Sequence, residues 1–161
     1  PLVHNSGGYD SREALELLDG IIDIYMPDMK YGDAEAGRTY SKVEDYPSVN
    51  QAGIKEIHRQ VGDLTMDGQG IAQRGLLVRH LVLPNNLAST GEIVQFLAEE
   101  ISPETYLNVM AQYRPTYKAH LYPEINRRPS AQEMEKAMEL ALAAGLTRLD
   151  ERKARPVWLL R

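Results

Sequence analysis

The sequence predicts an α/β protein in which parallel strands alternate with outer helices. Short apolar segments and segments with helical periodicity follow one another along the 161 residues, which is the pattern of repeated βα units. Residues 76–84 (LLVRHLVLP) are apolar on both faces, as in a parallel sheet that helices cover. Capping residues stand where helices would begin, and glycines where they would end.

The first βα unit is predicted at the start of the chain. Residues 2–5 form a short strand, which the glycines of NSGG follow. Asp10, with Glu13 three residues later, forms a capping box for a helix that ends at Gly20.

The middle of the chain continues the alternation of strands and helices. Ser48 and Gln51 form a second capping box, and apolar residues recur at helical spacing from there to Gly62. The other elements predicted here are a strand at 21–26, a loop at 27–33, a short helix at 33–39 and a hairpin turn at Asp67-Gly68.

The last part of the chain adds two helices and a strand after the strand at 76–84. Ser89 and Glu92 cap a helix that reaches about residue 100, and Ser130 and Glu133 cap a helix that ends at Gly145. The remaining segments are a strand at 105–113, a loop at 114–129 and a tail at 146–161 without a predicted element.

Composition limits the classes of function. The net charge of −5 argues against a nucleic-acid scaffold, because phosphate contacts need a basic surface. No apolar run has the length of a membrane span, so no membrane partner is expected. The chain has no cysteine, which excludes a disulfide framework, a thiolate zinc site and a cysteine nucleophile within it. The expected location is cytoplasmic.

Active groups of parallel α/β proteins collect at the carboxyl ends of the strands. That rule selects four segments of this sequence, HNSGG, MPDMK, RHLVLPNN and AQYRP. An open doubly wound sheet and a barrel that lacks its front half both place these segments at one edge. The residues alone do not decide between the two.

Arg79 and His80 lie within the strand at 76–84, and neighbouring side chains of a strand point to opposite faces. A buried arginine needs an anionic partner, which is either a core carboxylate or an anionic ligand. The position near the end of the strand favours the ligand. His80 is predicted to be a structural histidine held by hydrogen bonds.

These strand ends resemble a known family. The series NSGGYDS, DIYMPDMKY, VRHLVLPNN and MAQYRP is similar to the C-terminal half of radical S-adenosylmethionine (SAM) proteins related to the pyruvate formate-lyase activating enzyme. The resemblance runs to about Asp150. It implies that residues 1–150 are the C-terminal part of a partial (β/α)6 TIM-like barrel that begins at its fourth strand. Residues 151–161 are then a C-terminal tail.

The resemblance also implies cofactors and a partner. Family members hold a [4Fe–4S] cluster on three cysteines of a C-x3-C-x2-C loop, and SAM binds to its open iron. Reductive cleavage of SAM gives a 5′-deoxyadenosyl radical, which abstracts hydrogen from a protein or peptide acceptor. Because this chain lacks the cysteines, the cluster is not expected in it.

One methionine and three charged residues match cofactor-binding positions of the family. Met26, Asp28 and Lys30 match a Met-x-Asp-x-Lys segment of the family, in which the acid holds the methionine end of SAM and the lysine reaches its carboxylate. Arg79 matches an arginine on the sixth strand that faces the cofactor.

Five further residues match positions around SAM. Asn5, Ser6 and Gly7 match a Thr-Asn-Gly turn beside the methionine moiety. Tyr113 and Arg114 match a Tyr-His pair near the adenosyl group, with arginine in place of histidine.

Two other interpretations remain open. The chain is either a non-catalytic half-barrel that binds an anionic small molecule or serves in an assembly, or a fragment of an unrelated aldolase-like or hydrolase-like barrel. In any of these, an unpaired strand edge at residues 2–5 predicts self-association.

Overall fold

A computed structural model describes residues 1–150, and these form an α/β protein. The tail predicted at 151–161 lies outside the described residues. The strands are β1 (Val3–Ser6), β2 (Ile24–Pro27), β3 (Thr65–Met66), β4 (Ala72–Leu81) and β5 (Tyr106–Met110). The α-helices are α1 (Arg12–Glu16), α2 (Ala34–Ala36), α3 (Tyr46–Val61), α4 (Thr90–Phe96) and α5 (Ala131–Ala143).

Four of the strands form a parallel sheet in the order β1-β2-β4-β5. From β1 to β5 these four strands lie side by side in the same order in which they occur in the sequence. The short strand β3 pairs antiparallel with the start of β4, which confirms the hairpin predicted around Asp67-Gly68. Beyond α5, Leu149 forms a parallel bridge to Leu107 of β5, so part of the segment without a predicted element joins the sheet.

The two faces of the sheet differ in burial. Tyr25, Val78 and Leu107 point toward the helices and belong to a fully buried apolar core. The residues that alternate with them, such as Leu77 and Met110, are only half-buried and lie outside that core. Helices therefore build the core on one face and leave the other face accessible. Among residues 1–150, no helix is long and apolar enough to cross a membrane.

Two predicted helix starts are wrong. Ser11 caps α1 by accepting a hydrogen bond from the Ala14 amide, because the Asp10 carboxylate instead accepts one from the Ser6 hydroxyl. Helix α3 begins after Asp45, two residues before the predicted capping box. The Ser48 hydroxyl there donates to the Asp45 carbonyl, as a side chain inside the first turn can.

The two later helix starts have different outcomes. Ser89 precedes α4 but gives it no side-chain cap, since its hydroxyl donates to the Asp33 carboxylate. Ser130 and Glu133 form the capping box predicted for α5, with bonds in both directions. Gly145 follows this helix at a φ of +96°, as a glycine that ends a helix does.

The strand bounds shift where pairing partners end. The predicted strand at 105–113 stops at Met110, because β4 offers no residue beyond Leu81 to pair with it. The strand predicted at 21–26 starts at Ile24, since Ile21 still closes the turn after α1 by bonding to the Leu18 carbonyl. Conversely, β4 begins at Ala72 because β3 extends the pairing of its first residues.

Candidate functional site

The carboxyl ends of β2, β4 and β5 open on a cavity of about 560 Å3. Five of the nine residues matched to SAM-binding positions line it. They are Asp28, Lys30, Arg79, Tyr113 and Arg114. Leu81 of β4 and Met110 of β5 add an apolar wall. The structure thus brings the charged ends of separate strands into one space.

Asp28 lies between two cations. Arg79 Nε donates to Asp28 Oδ1 at 2.8 Å, and the nearer terminal nitrogen of the guanidinium is 2.6 Å from the same oxygen. Lys30 Nζ lies 3.5 Å from the second oxygen, Oδ2. The Asp28 and Arg79 side chains are 19% and 24% exposed, so this pair is partly shielded from water. The partner of Arg79 is therefore a protein carboxylate, and the pair still faces a cavity.

Backbone hydrogen bonds hold the loop after β2 against its neighbours. The Asp28 amide donates to the Ser6 carbonyl at 3.1 Å, and the Met29 amide donates to the Arg79 carbonyl at 2.8 Å. Asp28 and Arg79 consequently form a parallel bridge beyond the end of β2. This bridge places the two side chains on the same face of the sheet, which explains why they meet.

His80 holds the same loop from the opposite face of β4. It is fully buried, with Nδ1 2.8 Å from the Met29 carbonyl and Nε2 2.9 Å from the Thr90 hydroxyl. A carbonyl only accepts, so Nδ1 carries the proton and Nε2 accepts from Thr90. Burial lowers the pKa of His80, which favours this neutral form. The prediction of a structural histidine held by hydrogen bonds is confirmed.

Two residues at the start of α3 fasten the turn after β1 to the loop after β2. Asn50 Nδ2 donates to the Gly8 carbonyl at 2.7 Å and to the Asp28 carbonyl at 2.9 Å. The Tyr46 hydroxyl accepts from the Lys30 amide at 3.0 Å and lies 3.0 Å from the Gly7 carbonyl. Burial raises the pKa of Tyr46, so the phenol keeps its proton for donation.

The turn after β1 approaches the loop closely at a glycine. Gly8 has a φ of +75°, and a Cβ built there would lie 2.0 Å from the Asp28 carbonyl oxygen. Only glycine fits such a contact. Gly7 lies beside the Lys30 side chain, whose Nζ would be 3.7 Å from a Cβ at that position. Gly8 thus sets how near Asp28 lies to β1, whereas the contact at Gly7 is an ordinary van der Waals distance.

The other residues matched on β1 and β2 do not line the cavity. Asn5 is exposed and pairs in register with Met26, which is half-buried. The Ser6 hydroxyl donates to Asp10 at 2.5 Å and accepts from the Gly8 amide at 3.2 Å, so its side chain is committed to the turn. Asn5 and Met26 continue the accessible sheet face toward its β1 edge.

Tyr113 and Arg114 lie just beyond β5. The Tyr113 hydroxyl donates to the Ile125 carbonyl at 2.9 Å, and burial raises its pKa. Arg114 lines the cavity and forms no ion pair with another residue of the described range 1–150. With Lys30 and Arg79 opposite the single carboxylate of Asp28, the cavity has a surplus of positive charge. It can therefore hold an anion or a zwitterion.

Sequence reasoning did not identify Tyr46 and Asn50 as residues of the site. A signal for them exists in the sequence. They are four residues apart and continue toward Ile54 on one face of α3, so Asn50 is a polar residue in an apolar stripe. A buried asparagine at such a position needs hydrogen-bond partners, which here are two carbonyls of the site.

The chain is similar to an uncharacterized protein of Methanocaldococcus jannaschii, with 40% identity over 142 residues. The aligned region is 88% of this chain and 38% of that protein, so the chain spans less than half of its relative's length. No protein-family profile matches the chain, and no solved structure does. Within residues 1–150, no group of three or more histidine, aspartate or glutamate side chains could hold a metal ion.

Proposed function

We propose that this chain is the C-terminal part of a radical SAM iron–sulfur enzyme of the pyruvate formate-lyase activating type. The observation that carries the proposal is the position of Asp28, Lys30 and Arg79 around one cavity at neighbouring strand ends. The family resemblance assigns Asp28 and Lys30 to the methionine end of SAM and matches Arg79 to an arginine that faces the cofactor. Position and chemistry therefore point to the same ligand.

The charges of the site suit a zwitterion. SAM carries a carboxylate beside an ammonium group, and a sulfonium further along. Lys30 and Arg79 would bind the carboxylate, and Asp28 would bind the ammonium group. A site of this kind needs opposite charges within a few ångströms, and Asp28 lies within 3.5 Å of both cations.

The order of the strands supports the barrel. A (β/α)6 barrel needs parallel strands in chain order, with helices outside and one face turned inward. The sheet β1-β2-β4-β5 has that order, and the face that carries Asp28 and Arg79 lies outside the apolar core. In the proposed barrel this face would point to the centre.

When bound and reduced, SAM supplies the hydrogen-abstracting chemistry of the family. This chain has no cysteine, so its residues do not fit the ligand set of a [4Fe–4S] cluster. Cysteine ligands for a cluster would have to come from polypeptide outside this chain. The residues described here would bind and orient the methionine end of SAM, and a protein or peptide would receive the radical.

A second function is favoured by the surplus of positive charge. Arg114 has no carboxylate partner among the described residues, and Asp28 already neutralises one of the two other cations. A non-catalytic half-barrel that binds an anionic small molecule would use the same cavity. The two functions differ in the role of Asp28, which attracts a zwitterion's ammonium group but repels a simple anion.

The experiment that tests the enzyme proposal uses the whole protein that contains this chain. Its coding sequence upstream of Pro1 should encode a C-x3-C-x2-C motif. After anaerobic reconstitution with iron and sulfide, the reduced protein should convert SAM to 5′-deoxyadenosine, measured by chromatography. Asp28→Ala should reduce the yield about tenfold or more, the scale of a lost charged hydrogen bond, while Lys136→Ala should not. A cluster-loaded protein that forms no 5′-deoxyadenosine contradicts the proposal.

The edge of β1 supports a proposal about partners. Among the described strands β1 pairs with β2 alone, and Leu2 and Val3 are 53% and 48% exposed. Exposed apolar edges recruit further strands, so we expect this chain to self-associate. Val3→Lys should shift the chain toward the monomer in light scattering. A monodisperse monomer of the unmodified chain contradicts this expectation.

A further inference from the structure

A second cavity, of about 190 Å3, adjoins the charged one and shares Tyr113 and Thr116 with it. Five tyrosines contribute to its walls, from the loop after β2, the turn after α2 and the segment after β5. They are Tyr31, Tyr40, Tyr113, Tyr117 and Tyr122. We call this cavity the tyrosine pocket.

The hydroxyl groups of four of these tyrosines are already bonded within the protein, and Tyr122 is one of them, since it accepts from Lys42. Tyr40 donates to Glu124 at 2.9 Å, Tyr31 lies 2.8 Å from the Ser41 hydroxyl, and Tyr113 donates to a backbone carbonyl. Leu83, Ala119 and Ile125 complete the wall with apolar groups. The pocket therefore suits a flat apolar ring, since aromatic rings pack well edge-to-face or offset against one another.

The size of the pocket limits what enters it. An apolar cavity of about 150 Å3 is large enough to bind benzene, so about 190 Å3 takes one ring. The rest of a ligand would have to lie outside, in the open groove of the charged cavity. A side chain that projects from a longer peptide meets this requirement.

The charges around the pocket favour acidic residues on both sides of that ring in the peptide. Lys118 lines it with its ammonium group over the Tyr117 ring, and Lys42 Nζ lies 3.2 Å from the Tyr122 hydroxyl. Within residues 1–150 neither lysine, nor Arg114 nearby, forms an ion pair with a carboxylate. The carboxylate of Glu124 accepts a hydrogen bond from the Tyr40 hydroxyl. On a chain of net charge −5, this is a local excess of positive charge.

We propose that the tyrosine pocket binds an aromatic side chain of a peptide segment that is acidic on both sides of that residue. The ring enters between the tyrosines, and the flanking carboxylates meet Lys42, Lys118 and Arg114. The inference rests on the shape and charge of the pocket alone. It does not depend on the proposed function, and the residues that flank the ring would occupy part of the charged cavity.

Three capped tripeptides test the proposal with this chain, by saturation-transfer NMR and titration. Asp-Phe-Asp should bind, with saturation strongest on the ring protons. Asp-Leu-Asp should bind about fivefold or more weakly, the scale of an aromatic contact, and Lys-Phe-Lys weaker still. Equal binding of the phenylalanine and leucine peptides overturns the proposal. So does 3-phenylpropionate binding as tightly as Asp-Phe-Asp, because the pocket would then be a site for small aromatic acids.

Two variants locate the binding in the tyrosine pocket. Ala119→Leu fills the cavity from its wall, and Lys118→Glu reverses a charge on an exposed position. Each should weaken Asp-Phe-Asp about fivefold or more. Lys55→Glu, an equal charge reversal on α3, should leave its affinity unchanged. If Ala119→Leu unfolds the chain, Lys118→Glu decides, and unchanged affinity in that variant contradicts the proposal.

Discussion

The guanidinium of Arg79 binds the carboxylate of Asp28, which lies 51 positions earlier in the chain, with an Nε–Oδ1 distance of 2.8 Å. This pair connects the ends of β2 and β4 on the face of the sheet outside the apolar core. It also points into the cavity that Lys30 and Arg114 share. The same contact therefore stabilises the fold and defines the charge of the candidate site.

Arg79→Met should lower the free energy of unfolding by about 1–3 kcal/mol, because the Asp28 carboxylate is then left partly buried with only Lys30 beside it. Urea denaturation measures this. Arg12→Met is the matched control, since its pair with Glu16 is exposed and should contribute well under 1 kcal/mol. Equal losses in the two variants would show that the Arg79–Asp28 pair does not hold the strand ends.

Gly8→Ala should destabilise the protein far more than Gly20→Ala. Both glycines have φ near +75°, at +75° and +77°, so both variants carry the same left-handed strain of about 1–2 kcal/mol. Only at Gly8 would the new methyl meet a backbone oxygen, 2.0 Å away at Asp28, whereas nothing lies within 4 Å at Gly20. The difference between the urea unfolding midpoints of the two variants measures the effect of the close approach at Gly8. Equal midpoints contradict the described contact.

Tyr46→Phe should reduce the free energy of unfolding by about 1–2 kcal/mol and also weaken any ligand held by Lys30. The variant leaves the Lys30 amide and the Gly7 carbonyl without the hydroxyl that bridges them. Tyr9→Phe removes a hydroxyl that donates to Asp45 on the exposed surface, so its effect should be smaller. A loss in Tyr9→Phe that equals the loss in Tyr46→Phe would refute the bridging role.

Stability should depend on pH through His80. Its pKa in the folded state is lowered from the ordinary value of 6.5, so below pH about 6.5 the unfolded chain takes up a proton that the folded protein does not. The contribution of neutral His80 to the free energy of unfolding is complete above pH 6.5. It decreases as the pH falls toward the folded pKa, with a slope that approaches about 1.4 kcal/mol per pH unit. Arg59 holds the pKa of Glu56 at about 2, so that carboxylate stays ionised in this range.

Unfolding in urea at a series of pH values between 5 and 7.5 measures this slope. His80→Gln should flatten the dependence in that interval, whatever its effect on the stability itself. His120→Gln changes an exposed histidine and should leave the slope as it is. A slope that survives in His80→Gln assigns the titration to another group.

The sequence predicted the sheet well where strands are apolar and fully paired. The segment LLVRHLVLP could be assigned to a central parallel strand because its apolar run is nearly continuous, although helices cover only the face of Val78 and leave Leu77 half-buried. The ends of strands were less predictable. The end of β5 at Met110 depends on where its pairing with β4 ends. The sequence of β5 alone does not specify that position.

Side-chain competition explains why three of the predicted helix caps do not form. Asp10, Ser48 and Ser89 all have the chemistry of caps, but other bonds engage them. Asp10 accepts from Ser6, and Ser89 donates to Asp33 from a distant segment. Sequence periodicity cannot rank such tertiary partners against a helix amide. The predicted capping box at Ser130 and Glu133 is confirmed, and both of its bonds are local.

The charged residues of the candidate site were predictable from the sequence, but the residues that hold its loops in place were not. Asp28, Lys30 and Arg79 follow from strand polarity, since the carboxyl ends of parallel strands meet at one edge. Tyr46 and Asn50 come from a helix whose packing against two turns depends on Gly8. Such a contact joins three segments, and no local pattern contains it.

The most direct test of the proposed SAM site is calorimetric titration of SAM and of inorganic phosphate into this chain and into Asp28→Asn. The near-isosteric amide keeps the fold and removes one negative charge from the cavity. We predict that the variant binds SAM about tenfold or more weakly and phosphate more tightly, because Asp28 attracts an ammonium group and repels an anion. SAM affinity that is unchanged or increased in Asp28→Asn would contradict the assignment of this cavity to SAM.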